Sequence, residues 1–166
     1  MSMFELKYRA GEFAEMIGVS TDTLRDWRRR HIDVGLAPSI NGQKQYCDYD
    51  RLEMRVFDQL RIEMFNSISE AFEAARHVTP LVAVRLGLSL SGHPDAWSLK
   101  FYAETKARYG LISGKDDFAY TNNLEHFMER DAMADYMRPA FIVIIIDDLA
   151  DRVSGWVAEN LPGELK

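Results

Sequence analysis

Arginine is concentrated in one short segment of this 166-residue sequence, directly after a run of short polar residues. The arginines are at positions 25, 28, 29 and 30, and the run before them is Ser20-Thr21-Asp22-Thr23. Arginine binds two phosphate oxygens at once and reads the edge of guanine. Short polar side chains and free backbone N–H groups at a helix start also reach phosphates and base edges. These residue types in this order indicate contacts with double-stranded DNA.

Two short helices are needed to present this segment. We predict the first over about Gly11 to Ile17, and the second from an N-cap at Ser20 to about Arg30. Gly18 lies in the turn between them, and Leu24 and Trp27 face inward. A helix, a turn and a second helix form the arrangement in which the second helix can enter a major groove.

A hairpin and a longer helix follow. Asn41-Gly42 supplies the positive φ angles of a two-residue turn, so we predict a β-hairpin there. Its arm would carry Gln43, Lys44 and Tyr46 along the DNA backbone that flanks the groove. Apolar residues recurring every four positions predict a helix over about Tyr49 to Met64.

These motifs together resemble the opening of the MerR family of winged-helix regulators, over about residues 8–65. The matching tracts are Gly11-Glu12-Phe13-Ala14, Gly18 to Trp27, Gly35-Leu36-Ala37-Pro38 and Asn41 to Tyr46. The resemblance implies that Arg25 and Trp27 hold phosphates or brace the helix, and that Lys44 and Tyr46 are wing contacts. Trp27 replaces the family's usual tyrosine, Asp26 stands where an aromatic residue or histidine is common, and about three extra residues precede Gly35.

We therefore expect a sequence-specific transcription regulator that reads the major groove with its second helix and holds the flanking backbone with a wing. Its expected partner is double-stranded DNA with a palindromic operator. The predicted DNA-binding residues are Ser20, Thr21, Asp22, Thr23, Arg25, Asp26, Trp27, Arg28, Arg29, Gln43, Lys44 and Tyr46.

The rest of the chain alternates helices and strands. The predicted helices cover about Ile68 to His77, Pro80 to Leu88, Trp97 to Arg108, Leu124 to Met137 and Asp148 to Leu161. The predicted strands are Phe118 to Thr121 and a buried β-branched run, Phe141 to Ile146. The expected fold is α+β and mainly helical, with a winged helix-turn-helix domain over residues 1–77 and a small α/β domain over residues 78–166.

The charge distribution separates these two parts. Residues 1–60 carry nine Lys and Arg against ten Asp and Glu, whereas residues 61–166 carry eleven against sixteen. The second part should therefore avoid DNA, and we expect it to form a homodimer, because one recognition helix gains specificity on two half-sites. The predicted dimerisation residues are Phe141, Ile142, Ile144, Leu149, Val153 and Trp156.

Several other functions lack a motif in the sequence. Cys47 is the single cysteine, the four histidines are scattered, and no catalytic triad or dinucleotide fingerprint is present. We expect no enzyme activity, no metal and no cofactor. Asp147 or Asp148 is expected to cap the last helix. The apolar runs are too short to span a membrane, so a cytoplasmic protein is expected.

Two other functions stay open from the sequence. One is an excisionase-like architectural protein, which bends DNA for a recombinase. The other is a protein-interaction module, such as an anti-repressor or adaptor, that keeps the fold without the groove contacts. RNA polymerase or another regulatory protein is a further candidate partner.

Overall fold

The computed structural model describes residues 2–30, 32, 35, 43–65, 67–93, 104, 106–114, 117–127 and 142–163. These residues form a mainly helical structure with antiparallel strands. In chain order the elements are β1 (Tyr8–Arg9), α1 (Ala10–Met16), α2 (Thr21–Arg29), β2 (Gln45–Tyr46), α3 (Asp48–Glu63), α4 (Ile68–Arg85), β3 (Tyr109–Gly114), β4 (Asp117–Thr121), β5 (Ile142–Ile145) and α5 (Ile146–Asn160). The predicted turn at Asn41-Gly42, residue Phe141 and most of the helices predicted from Trp97 and Leu124 lie outside the described residues.

The two short helices predicted at the amino-terminal end are present as α1 and α2. Gly18, between them, has a φ of 70°, a left-handed conformation that glycine adopts without a steric penalty. The Ser20 hydroxyl accepts a hydrogen bond from the backbone N–H of Thr23 at 3.0 Å, which confirms the predicted N-cap. Leu24 and Trp27 are buried. Glycine in the turn and serine at the cap therefore fix the path of the chain into α2.

A two-stranded antiparallel sheet connects this pair of helices to α3. Tyr8 of β1 pairs with Tyr46 of β2, and Arg9 pairs with Gln45. The backbone N–H of Cys47, just after β2, donates to the Asp50 carboxylate at 2.8 Å and so marks the start of α3. Helix α3 matches the predicted helix closely.

One prediction about the middle of the chain is wrong, because α4 is a single helix rather than two. Pro80 was expected to start a second helix, but it lies inside α4. Proline removes one helical hydrogen bond. The helix nevertheless continues, since Val78, Leu81 and neighbouring side chains on both sides of Pro80 are buried in the same core. The division of the chain after residue 77 stays a prediction, and it falls within α4.

A second, three-stranded antiparallel sheet has the order β4-β3-β5. Strand β4 confirms the predicted strand, whereas β3 was not predicted. Gly110 explains why β3 was not predicted. A Cβ at this position would lie 3.0 Å from Phe118 Cζ and 3.2 Å from Val78 Cγ1. The close approach of α4 to β3 requires glycine, and glycine weakens the strand pattern in the sequence.

The last strand and helix also differ from their prediction. In β5 only Ile144 is buried, because β3 is its one neighbour among the described strands and α5 begins directly after it. The N-cap of α5 is Ile145, and no side chain caps the helix. Asp147 instead forms ion pairs with Arg85 and Arg108. Asp147 and Asp148 are the second and third residues of the helix, past the N-cap position.

Candidate nucleic-acid interface

Helix α2 has two chemically distinct faces. Leu24 and Trp27 point into the protein and are buried, whereas Arg25, Arg28 and Arg29 are exposed. This division follows from the sequence, because the apolar residues are three positions apart and the arginines fill the positions between and after them. The structure thus keeps the three predicted arginines together on one accessible surface.

Two ion pairs order the charges on that surface. The Asp22 carboxylate accepts a hydrogen bond from Arg25 Nη1 at 2.6 Å, and the Asp26 carboxylate lies 2.9 Å from Arg30 Nη2. Both pairs are exposed, so each contributes little to stability and its arginine can exchange the carboxylate for a phosphate. Ser20, Thr21 and Thr23 occupy the amino-terminal end of the same helix, with Thr23 partly buried.

Trp27 anchors α2 instead of facing outward. Its ring meets Phe57 of α3 edge-on at 5.8 Å and Phe72 of α4 at 5.7 Å, measured between ring centroids. Aromatic pairs at this separation and tilt attract beyond the area they bury. The resemblance implies that Trp27 either holds phosphates or braces the helix. Its place in the core fits the second role.

The two residues implied as wing contacts lie in the interior, which corrects the expectation of an exposed arm. The Lys44 side chain is buried, and its Nζ donates to the backbone oxygen of Gly35 at 3.0 Å. Tyr46 is fully buried and stacks on Phe13 with 4.0 Å between ring centroids. The reason is the period of two in a strand, which turns Lys44 and Tyr46 inward and leaves Gln43 and Gln45 exposed.

Arg9 is a further exposed arginine near the helix-turn-helix, and the sequence analysis did not single it out. Arg9 is exposed and sits beside exposed Gln45 across the β1–β2 pair. Helix α1 packs against α2 and against both strands, so it connects this pair to the arginines of α2. No sequence signal marked Arg9, since its proximity to Gln45 arises from pairing between segments more than thirty residues apart.

A charged cluster joins the start of the chain to α3 and α5. The Asp48 carboxylate accepts hydrogen bonds from Lys7 Nζ at 2.8 Å, Tyr8 Oη at 2.7 Å and Arg51 Nη1 at 3.1 Å. The Arg51 guanidinium also donates to Asn160 Oδ1 at 3.2 Å and lies over the rings of Tyr8 and Trp156. This cluster, Lys7, Tyr8, Asp48, Arg51 and Asn160, is called the Asp48 cluster below.

The hydrogen bonds within the Asp48 cluster stabilise the charged forms of Asp48 and Lys7. Burial alone would raise the pKa of Asp48, but the hydrogen bonds from Lys7, Tyr8 and Arg51 outweigh it and leave the pKa lowered. The hydrogen bond to Asp48 raises the pKa of Lys7 despite the burial of that side chain. The cluster therefore holds β1 and the helices α3 and α5 together with paired charges.

The predicted dimerisation residues occupy the core of the chain or pack against it. Ile144, Leu149 and Val153 are buried, Ile142 and Trp156 are partly buried against the core, and Phe141 lies outside the described residues. A contact with a second copy through the three buried residues would require opening the core. Ile144, Leu149 and Val153 are therefore not accessible as dimer contacts, whereas Ile142 and Trp156 stay a prediction.

The single cysteine, Cys47, lies in the interior. Burial raises the pKa of the Cys47 thiol well above its ordinary value, so the thiol stays protonated and unreactive. Among the described residues, no three His, Cys, Asp or Glu side chains are grouped to hold a metal ion. None of the described helices has both the length and the apolar character required to cross a membrane.

Comparison with known proteins agrees with the geometry of the amino-terminal part. Residues 8–71 match the family described as "MerR HTH family regulatory protein". The match confirms the resemblance over the amino-terminal part and identifies it as a helix-turn-helix region typical of DNA-binding transcription regulators. No curated protein and no solved structure matches the chain.

Proposed function

We propose that the protein is a sequence-specific, DNA-binding transcription regulator of the winged helix-turn-helix type. Helix α2 enters the major groove, and the segment around β2 lies along the flanking backbone as the wing. The observation that carries this proposal is the division of α2 into an arginine face and a face anchored by Leu24 and Trp27. An anchored helix can present side chains to base edges without losing its own position.

Each exposed residue has a proposed role. Arg28 contacts a phosphate, while Thr21 and Arg29 contact base edges and set the preference for particular bases. Arg9 and Gln45 contact the flanking backbone in place of the buried Lys44 and Tyr46. The interior residues act by holding this surface in shape.

The operator is proposed to be palindromic and bound by a homodimer. Residues 78–166 form the α/β part that supports self-association, and their acidic balance keeps them away from the phosphates. Two copies related by a two-fold axis read two half-sites about one helical turn apart. RNA polymerase or another regulatory protein is the proposed further partner of the bound dimer.

Selection of bound sequences from a random pool of duplex DNA tests this function. We expect one short palindrome to be enriched. A run of direct repeats would favour an architectural, excisionase-like role instead. Retention on duplex DNA that does not change between low and moderate salt would mean that no phosphates are neutralised, and would favour a protein-interaction module.

Substitution of Arg28 by alanine tests the placement of α2. We expect Arg28→Ala to weaken binding to all sequences and to reduce the slope of log affinity against log salt by about one unit. Fluorescence anisotropy with a selected duplex over a salt series measures both quantities. Arg108→Ala removes an equally charged, exposed side chain near Asp147 and should leave the slope unchanged. If Arg28→Ala changes neither affinity nor slope, α2 does not face the DNA.

A further inference from the structure

The guanidinium group of Arg51, in α3, lies between two aromatic rings from opposite ends of the chain. Its central carbon is 5.6 Å from the centroid of the Tyr8 ring on β1 and 5.5 Å from the centroid of a Trp156 ring on α5. Both distances are within the range of a cation–π interaction. The Arg51 side chain is 11% exposed, so water screens this interaction little. Arg51 therefore joins the first strand to the last helix.

Asn160, the last residue of α5, completes this contact. Its side-chain N–H donates to the backbone oxygen of Trp156 at 2.9 Å, and its Oδ1 accepts from Arg51 Nη2 at 3.2 Å. The first hydrogen bond orients the amide so that its oxygen faces the arginine. The dipole of α5 also favours a cation near its carboxyl end. Asn160 lies far beyond residue 71, where the match to the family ends, so this contact is not part of the matched region.

Strand β1 needs side-chain contacts because it is very short. Its two residues pair with two residues of β2, and the backbone N–H of Lys7 adds one hydrogen bond to the backbone oxygen of Tyr46 at 2.9 Å. An isolated pair of strands is at best marginally stable in water. Tyr8 anchors the strand further, because its hydroxyl donates to Asp48 and its ring packs against Arg51.

The position of β1 determines the position of Arg9. Arg9 is the second residue of β1, pairs with Gln45 and directly precedes α1. Its backbone N–H donates to the Glu12 carboxylate at 2.8 Å, which ties Arg9 to the first turn of α1. A shift of Tyr8 would therefore move Arg9 and the start of α1 with it.

We propose that Arg51 and Asn160 are positioning residues for DNA binding. Neither contacts DNA. Together they hold Tyr8, and they thereby place Arg9 against the flanking DNA backbone. The inference rests on the proposed function, in which Arg9 is a backbone contact. The last helix, although it belongs to the acidic part of the chain, thus takes part in shaping the DNA-binding surface.

Amide hydrogen exchange of the full chain without DNA tests whether these residues hold β1. We expect Asn160→Ala to speed exchange of the Lys7 amide by about tenfold or more, because loss of the hydrogen bond to Arg51 loosens the strand. Arg51→Met keeps the apolar stem, removes the guanidinium group and should have the larger effect. The Leu24 amide, which donates to the backbone oxygen of Ser20 in α2, should keep its wild-type rate in both variants.

The salt dependence of DNA binding, measured by fluorescence anisotropy, tests the effect on Arg9. Arg9→Ala should reduce the slope of log affinity against log salt by about one unit. Asn160→Ala should also reduce the slope, although it removes no charge. The double variant should have the same slope as Arg9→Ala alone, because a side chain that is absent cannot be misplaced.

A matched control for Arg51→Met lies at the other end of α5. Arg108 also lies over a tyrosine ring and forms an ion pair with an aspartate, Asp147, but this contact is at the start of α5. Arg108→Met removes the same charge and the same kind of contact. It should leave both the slope and the exchange rate of the Lys7 amide unchanged.

Three results would overturn the proposal. Exchange of the Lys7 amide could stay at its wild-type rate in both variants; the slope could stay unchanged in Asn160→Ala and Arg51→Met; or the reductions could add up in the double variant, which would mean that Asn160 acts independently of Arg9. A slope that depends on Arg28 but not on Asn160 would retain the proposed function and remove only this inference. A protein that binds no duplex would remove both, whatever the exchange rates.

Discussion

Replacement of Asp48 by asparagine is the sharpest test of how the fold is held together. The Asp48 side chain is 9% exposed, and its carboxylate accepts hydrogen bonds from Lys7, Tyr8 and Arg51. Asparagine has nearly the same shape but no charge, and its amide group adds a donor where three donors already point. The substitution therefore removes the charge while leaving the volume of the site unchanged.

The expected magnitude follows from these contacts. Two of the three donors are charged, and hydrogen bonds involving a charged group each contribute about 1.5–3 kcal/mol. Removal of one member of a buried ion pair costs about 3–5 kcal/mol, and the cluster is not fully buried. We expect Asp48→Asn to lower the free energy of unfolding by about 2–4 kcal/mol.

A matched control lies on α2. Asp22 and Arg25 form an ion pair with the same spacing as Asp48 and Arg51, also in the first turn of a helix, but Asp22 is 85% exposed. Asp22→Asn should therefore lower the free energy of unfolding by less than about 1 kcal/mol. Urea denaturation followed by tryptophan fluorescence measures both variants. Equal losses for the two variants would refute the assignment of the Asp48 cluster as a stabilising core.

The pH dependence gives a second measurement on the same variant. Since the folded-state pKa of Asp48 lies below its ordinary value of 3.8, the stabilisation is complete above that value and is lost as the pH falls through the folded pKa. The difference between wild type and Asp48→Asn should stay constant from about pH 8 to about pH 5 and shrink below about pH 4. A difference that grows on acidification would contradict the lowered pKa.

Two further predictions concern packing. Trp27→Ala should lower the free energy of unfolding by about 3–5 kcal/mol, because it leaves a cavity beside Phe57 and Phe72. Urea denaturation measures this loss. A loss of DNA affinity with unchanged stability would instead make Trp27 a DNA contact. Gly110→Ala should cost about 1–3 kcal/mol in the same assay, because its Cβ would press on Phe118. Gly155→Ala on α5 meets nothing within 4 Å and should stabilise by up to about 1 kcal/mol, which separates crowding from the general effect of the substitution.

The amino-terminal part could be predicted well because its signals are local. Ser20 as a cap and Gly18 in the turn act on backbone groups within three or four residues, so the sequence contains the whole interaction. The apolar spacing of Leu24 and Trp27 likewise identifies the inner face of α2. The arginines then lie on the outer face without any further information.

The later part could not be predicted to the same depth because its signals are distant. In the sequence, Gly110 indicates a break in a strand. In the structure, Val78 and Phe118 lie against it and leave no room for a side chain. In the sequence, Pro80 indicates the start of a helix. In the structure it lies inside α4, whose residues on both sides of it are buried in the core. In each case the deciding contact joins residues that are far apart in the chain, or it depends on burial. A local sequence pattern contains neither kind of information.

The helix-turn-helix, the arginine face of α2 and the acidic balance of the second part follow from the order of residues alone, because spacing, capping and charge are properties of neighbouring residues. Which side chains are accessible depends on how distant segments pack. This packing buries Lys44 and Tyr46, brings Arg9 beside Gln45, encloses Ile144, Leu149 and Val153, and leaves Ile62 exposed. Apolar character predicts that a side chain can be buried, but the surface it is buried against exists only after distant segments have packed together.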